Sequence, residues 1–309
     1  MSNDSTARLV LRRQAVADGL SDDELGRLTR RRRWQRLRRG AYVDGKLPVD
    51  VTARHLMLVR ATLPGLRRPA VVSHQSTAVL HGLPLWGVPL GRVHVTRRPP
   101  AWNDSGTTLV THVGRLRDDD VDVVGGVAVT SAARTAVDLA RCEPFEVAVA
   151  LLDAALRDRL VDLVGLRESL AAVEGAPGTR SAARAIDFAD GRSESVGESR
   201  SRVALHRLGL MPSTLQLEVR AAGGRLVGRA DFGWQRQRVV GEFDGQVEYG
   251  RLLRPGQSPG DVVFEEKRRE DELRDEGWGV VRWTWGDLDV PARVGDRVGR
   301  ALARAARAS

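Results

Sequence analysis

The chain has 309 residues, 42% hydrophobic and 29% charged, which is room for two or three globular domains and excludes a disordered or fibrous class. One cysteine, Cys142, excludes disulfides within the chain and argues against a cysteine-based metal site; its expected role is that of a small buried apolar residue. The formal net charge is +9, and residues 1–50 carry eleven arginines and one lysine against seven acids, so more than half of that charge lies in one sixth of the chain. Such a basic concentration points to a polyanion partner, most often nucleic acid. No apolar run approaches the roughly 20 residues of a membrane span, and MSNDSTARLV lacks the apolar core of a signal peptide. The expected location is therefore the cytoplasm, with no membrane partner.

In chain order, Ala7–Asp18 reads as a helix with Leu9, Val10, Ala15 and Val16 facing inward, followed by a turn at Gly19–Leu20. Ser21 with Glu24 three residues later forms a capping box. It opens a second helix that runs to about Arg32, with Leu25 and Leu28 inside. Leu37–Val43 (LRRGAYV) reads as strand and turn. Helix, turn, capped helix and basic wing describe a winged helix-turn-helix over residues 1–46. Arg30, Arg31, Arg32, Arg33, Arg36, Arg38 and Arg39 fall at the second helix's end and on the wing, within reach of DNA phosphates. The competing reading is a solvated arginine-rich helix in a protein-interaction module.

Residues 47–190 read as a mixed α/β block. Helices are expected at Asp50–Leu63, His74–His81, Ser131–Ala140, Pro144–Leu160, Val161–Ala172 and Ala176–Gly191. Strands are expected at Ala70–Ser73, Arg92–Thr96, Thr108–His112 and Val127–Thr130. His74 and His81 lie two helical turns apart without further ligands at helical spacing, so packing or capping roles are expected of them. Ser131 is read as a helix cap rather than a nucleophile.

Residues 191–309 carry the chemistry. Ser193–Gly209 reads as a helix bearing Glu198. Arg225–Trp234 and Arg238–Asp244 read as a hairpin whose register, if Gln235 faces Arg238, sets Asp231 opposite Glu242. Opposed carboxylates lie about 5 Å apart at Cβ and repel, a cost that a divalent ion would offset. In that register Arg229 faces Asp244 as a cross-strand ion pair. A charged helix at Asp261–Glu276 contains Lys267, and Val280–Trp285 (VVRWTW) reads as a third strand. Arg254–Gly260 reads as a loop.

The order helix, two strands, helix, strand over about Ser193–Leu288 resembles the restriction-endonuclease-like PD-(D/E)xK superfamily, within it the branch similar to very-short-patch-repair endonucleases. Glu198, Asp231 in RADF, Glu242 in GEFDG and the EKRRED…GWGVVRWTW run carry the resemblance. It implies that Asp231 and Glu242, assisted by Glu198, hold Mg²⁺ (or Mn²⁺) for phosphodiester hydrolysis, with Lys267 or Arg268 stabilising the phosphate. The family's lysine two residues after the glutamate is here Asp244, a further ligand or a partner of arginine. The N-terminal segment resembles AbiEi-family antitoxins of type IV toxin–antitoxin systems through Gly19–Leu20, Glu24–Leu25, Leu28, Trp34 and RLRRGAY. SHQSTAVLHGL, VHVT and VTSAARTAVDLA extend that resemblance, which implies a cognate toxin protein as partner. The overall expectation is an α/β (α+β) protein that binds DNA. Its C-terminal domain is expected to be either a metal-dependent endonuclease or a nuclease fold kept as a platform in a non-catalytic regulator or antitoxin.

Overall fold

Among the described residues, short strands assemble into three sheets, of three, six and four strands, among helices. This arrangement, seen in a computed structural model, is the α/β class expected from the sequence. The structure describes residues 7–245 and 259–308, with side chains from 267 to 307 in the last stretch. Residues 254–258 of the loop expected at Arg254–Gly260 lie outside the described residues. By internal contacts the chain divides into two units, Met1–Glu143 with Leu160–Ala183, and Pro144–Arg159 with Arg184–Ser309. This differs from the three segments expected. Residues 1–46 share a unit with the α/β block, and the helix after Pro144 belongs with the C-terminal residues.

The first unit opens with β1 (Arg8–Leu11), α1 (Arg12–Ala17), α2 (Asp22–Arg30), β2 (Trp34–Arg38) and β3 (Ala41–Asp44). The helix expected over Ala7–Asp18 is therefore a strand followed by a shorter helix. Leu9 pairs with Val43 and Val10 with Tyr42, so β1 satisfies one edge of β3. The strand and turn expected at Leu37–Val43 are part of a hairpin, β2–β3, turning at Gly40, whose φ of 76° suits a residue without a side chain. Val10, Ala15, Leu25 and Trp34 form the small core beneath it.

The unit continues through α3 (Val51–Thr62), β4 (Val71–Val72), α4 (His74–Leu80), β5 (Val93–Arg97), β6 (Asp104–Ser105), β7 (Leu109–Val113), β8 (Val121–Val124), β9 (Val127–Thr130) and α5 (Ala132–Cys142). Six strands form one mixed sheet in the order β6-β7-β5-β4-β9-β8. Ser131 caps α5 as expected, its hydroxyl accepting the Arg134 N–H. Cys142 ends that helix and is exposed rather than buried. Between α5 and the later helices α7 (Leu163–Ala171) and α8 (Thr179–Phe188) comes α6 (Phe145–Arg157), which belongs to the second unit.

The second unit adds α9 (Val196–Arg207), β10 (Thr214–Arg220), β11 (Leu226–Trp234), β12 (Val239–Asp244), α10 (Pro259–Asp275), β13 (Gly279–Thr284), α11 (Trp285–Leu288) and α12 (Pro291–Ala308). Its sheet runs β10-β11-β12-β13, antiparallel except for the parallel pair β12–β13. Phe232 pairs with Gly241 and Trp234 with Val239, the register expected from the sequence. The ladder stops one pair short of Asp231 and Glu242. Phe232, Trp234, Val281 and Trp283 fill the core against Leu205. Gly241 is required there, because a Cβ would sit 2.6 Å from the Trp283 ring. Among the described residues, no helix is long and apolar enough to cross a membrane.

A buried ion pair joins α6 to α9. Arg202 donates to Asp153 at 2.6 Å, and the Ser199 hydroxyl and the Asp190 N–H reach the same carboxylate, each at 2.7 Å. Both side chains are nearly inaccessible, so removing one partner strands a charge in the interior. Asp153→Ala is expected to cost about 3–5 kcal/mol in urea unfolding; a loss below about 1 kcal/mol, the scale of a surface pair, would contradict that role.

Candidate functional site

Two surfaces carry the residues singled out in the sequence, one on each unit. On the first, the capping box of α2 forms as its spacing requires. Glu24 accepts from the Ser21 N–H at 2.8 Å, and the Glu24 N–H donates to the Ser21 hydroxyl at 3.3 Å. Asp22, Asp23 and Glu24 occupy the helix's first turn, where its dipole favours negative charge. At the other end the chain reverses at Arg32, whose φ is 54°, and the Arg33 N–H reaches back to the Leu28 carbonyl at 3.1 Å. This is a Schellman-type end with arginine at the left-handed position that glycine usually fills.

Arg30, Arg31, Arg32, Arg33, Arg36 and Arg39 are all exposed around this end and along the β2–β3 hairpin. The ion pairs described in this region are Arg12–Asp22 and Arg27–Glu24, so none of the six has an acidic partner among the described residues. Arg38 differs. It is half-buried, donates to the Arg39 carbonyl at 2.7 Å and also to the Ala61 carbonyl, and burial pushes its pKa down. Its guanidinium holds the hairpin to α3, so the structure gives it a packing role instead of the phosphate-binding one expected.

On the second unit, β11 carries Asp231, β12 carries Glu242 and α9 carries Glu198. Asp231 accepts the Phe243 N–H at 2.8 Å. Its carboxyl is pushed up to about 7, first by burial, then by the charge of Glu198 and, more weakly, by those of Glu242 and Glu194. Glu198 and Glu242 thus lie near enough for their charges to act on Asp231. Glu198 is engaged in capping α9: its carboxylate accepts from the Ser195 hydroxyl at 2.9 Å, the Glu194 N–H at 2.8 Å and the Gln216 amide at 2.8 Å. Burial raises its pKa against those hydrogen bonds.

Glu242 is held between two guanidiniums. Arg269 of α10 donates to it at 2.7 Å, and Arg282 of β13, its registered partner in the parallel pair, approaches to 2.9 Å. Lys267 and Arg268, expected beside the phosphate, are both exposed, and Arg268 faces Glu272 at 3.6 Å. The helix phase therefore presents Arg269 to the acids and turns the two preceding residues outward. Arg229 pairs with Glu194 at 2.7 Å instead of with Asp244. Asp244 closes β12 opposite Thr284.

This donor set does not fit a shared Mg²⁺ or Mn²⁺ ion as arranged. Glu198 has both oxygens in hydrogen bonds, and Glu242 has both against arginines. Among the described residues there is no group of three or more His, Cys, Asp or Glu side chains placed to hold a metal. Arg269, Arg282 and Glu194 are not singled out by the sequence. The Ser195-x-x-Glu198 spacing, a helix-start signature, is a legible sign that Glu198 caps its own helix.

No family model matches the chain. It is similar to two proteins of Mycobacterium tuberculosis, "Uncharacterized protein Rv2248" of strain H37Rv and "Uncharacterized protein MT2308" of strain CDC 1551, each 32% identical over 183 residues. The match covers 59% of this chain and 64% of each relative.

The acidic cluster has a pH signature. Folding holds the Asp231 proton up to about pH 7, whereas an unperturbed aspartate releases it near 3.8. The folded state therefore binds more protons across that interval, and stability falls as pH rises through it. Asp231→Asn removes the loss: its melting temperature is expected to exceed the parent's by several degrees at pH 8 and to match it at pH 4. An equal change at both pH values would show that Asp231 ionises freely.

Proposed function

We propose that this protein is a DNA-binding regulator that contacts the phosphate backbone through the end of α2 and the β2–β3 hairpin. The observation that carries this reading is the set of six exposed arginines without acidic partners among the described residues. Exposed guanidiniums grouped at a capped helix and its wing match the sequence-independent contacts by which such modules position themselves on a duplex. Arginine at the left-handed Arg32 position, where glycine costs less, agrees with a use for that charge. In this reading the second unit is a nuclease-like platform without its own chemistry. The AbiEi resemblance supplies a cognate toxin protein as a further partner, and the cytoplasm is the matching location.

A second reading, a metal-dependent endonuclease, is favoured by one specific observation. Asp231, raised to about 7 by burial first and then by neighbouring carboxylates, is where a cation would relieve the part that is repulsion. The paired state of Glu242 and Glu198 weighs against it.

Arg31, Arg32 and Arg33 replaced together by Ala should weaken binding of a labelled duplex. The plot of log affinity against log salt should flatten by about 0.9 for each phosphate that is no longer neutralised. Asp231→Asn with Glu242→Gln should leave both quantities near the parent's. Parental affinity and slope in the triple variant would rule out the arginine surface as the DNA site. In the same preparations, plasmid and single-stranded DNA with Mg²⁺, Mn²⁺ or EDTA should stay intact. Metal-dependent nicking abolished by Asp231→Asn would establish the endonuclease reading instead.

A further inference from the structure

The first unit contains a second built site, unrelated to the arginine surface. A cavity of about 450 Å³ opens beside the six-stranded sheet, lined among others by His74, Thr96, His112, Arg115, Arg134 and Arg141. This volume is within the range of small-molecule sites, about 300–1,000 Å³.

Two imidazoles, His74 and His112, line one part of it, and a third, His94, packs behind them. His74 of α4 stacks on His112 of β7 with ring centroids 3.7 Å apart, and His112 Nε2 lies 2.9 Å from His94 Nδ1. His94 continues to the Gln75 amide at 2.8 Å. Burial, the neighbouring imidazoles and the two arginines Arg141 and Arg134 hold His74 well below its usual range, and burial with His112 brings His94 down to about 3. Burial thus favours neutral imidazoles; Arg141 and Arg134 add positive charge at His74, while Asp138 opposes it at His112. His74 also adopts a φ of 53°, a left-handed conformation that is costly for a residue bearing a ring.

Three arginines also line the cavity, and their contacts leave donors without a partner among the described residues. Arg134 spends Nε on Asp138 and Nη1 on Asp120 and the Arg115 carbonyl, at 2.9–3.1 Å. Arg141 spends Nη1 on Asp138 and Nε on the Pro177 carbonyl. Among the described residues the Nη2 group of each, and the whole guanidinium of exposed Arg115, have no partner. Asp138, the buried acid here, has one oxygen on each of the first two arginines. Thr96 is 2% exposed, and its hydroxyl also lacks a hydrogen-bond partner. Gly114 keeps the approach open, since a Cβ there would stand 3.3 Å from Arg134 Nη2.

Convergent spare guanidinium donors match the oxygens of a phosphate, which accepts several charge-assisted hydrogen bonds at once. The cavity is much larger than a phosphate ion, and the flat imidazole wall suits a ring. We propose that this cavity binds a small phosphomonoester of about mononucleotide size, its phosphate held by Arg115, Arg134 and Arg141 and its body against His74 and His112.

Calorimetric titration of the full chain with adenosine 5′-monophosphate, ribose 5-phosphate, inorganic phosphate and adenosine tests this. The phosphomonoesters should bind more tightly than inorganic phosphate, and adenosine should not bind. Arg115→Ala with Arg141→Gln should weaken the phosphomonoesters by at least about tenfold, the weight of one charge-assisted hydrogen bond. The Arg31, Arg32, Arg33 triple Ala variant should bind them as the parent does, which separates this cavity from the DNA surface. The proposal is overturned if no phosphorylated probe binds, if inorganic phosphate binds as tightly as the esters, or if the Arg115/Arg141 variant keeps parental affinity. Should that variant be unstable, Arg115→Ala alone, at an exposed position, must still lower the affinity.

Discussion

Glu242 sits on a buried central strand with an arginine on either side. One comes from the neighbouring parallel strand and one from the helix that precedes it, so a single carboxylate ties β12, β13 and α10 together. Such a carboxylate is tolerable in the interior because its charge is matched and its oxygens are occupied. The same fact governs what the acids around it can do. A carboxylate already neutralised by two guanidiniums offers little to a cation, and Glu198 is committed to its helix start. Among the described residues Asp231 has neither an arginine nor a helix start to hold it, and burial first, then the charge of Glu198, push its pKa up.

The two ends of the chain solve opposite electrostatic problems. In the second unit, arginines and acids are interleaved: Arg200 meets Glu146, Arg202 meets Asp153 and Arg229 meets Glu194. Around the end of α2, exposed arginines follow one another without acids, and self-repulsion is accepted. A surface that keeps such repulsion is suited to a polyanion, whose binding releases counterions and relieves it. The cavity of the first unit lies between these cases. There, buried acids fix Arg134 and Arg141 in place while leaving part of each guanidinium unspent.

Local signals are legible wherever the chemistry is local. The Ser21–Glu24 capping box, the Ser131 cap and the hairpin register around Phe232 and Gly241 all follow from spacing, and the structure has them. What the sequence does not reveal depends on tertiary phase. Arg8–Leu11 is a strand because β3 offers it an edge, which no four-residue stretch reveals. Arg269 rather than Lys267 meets Glu242 because the rotation of α10 over the sheet is fixed by its buried Leu273. His74, His94 and His112 lie on α4, β5 and β7, so their stacking is a product of sheet order and is invisible to a search for helical spacing. Thr214–Arg220 alternates apolar and polar residues (TLQLEVR) and is readable as a strand, yet the stronger hairpin signal beside it overshadows it.

The central claim is that nucleic acid meets the first unit at its arginine surface and leaves the acidic cluster untouched. Hydrogen–deuterium exchange of the full chain, with and without duplex DNA at low salt, tests it most directly. Slowed exchange is predicted in peptides covering residues 28–40, at the end of α2 and along the β2–β3 hairpin, with peptides covering 194–200 and 229–244 unchanged. Protection confined to those last two stretches, with 28–40 exchanging as in the free protein, would contradict it.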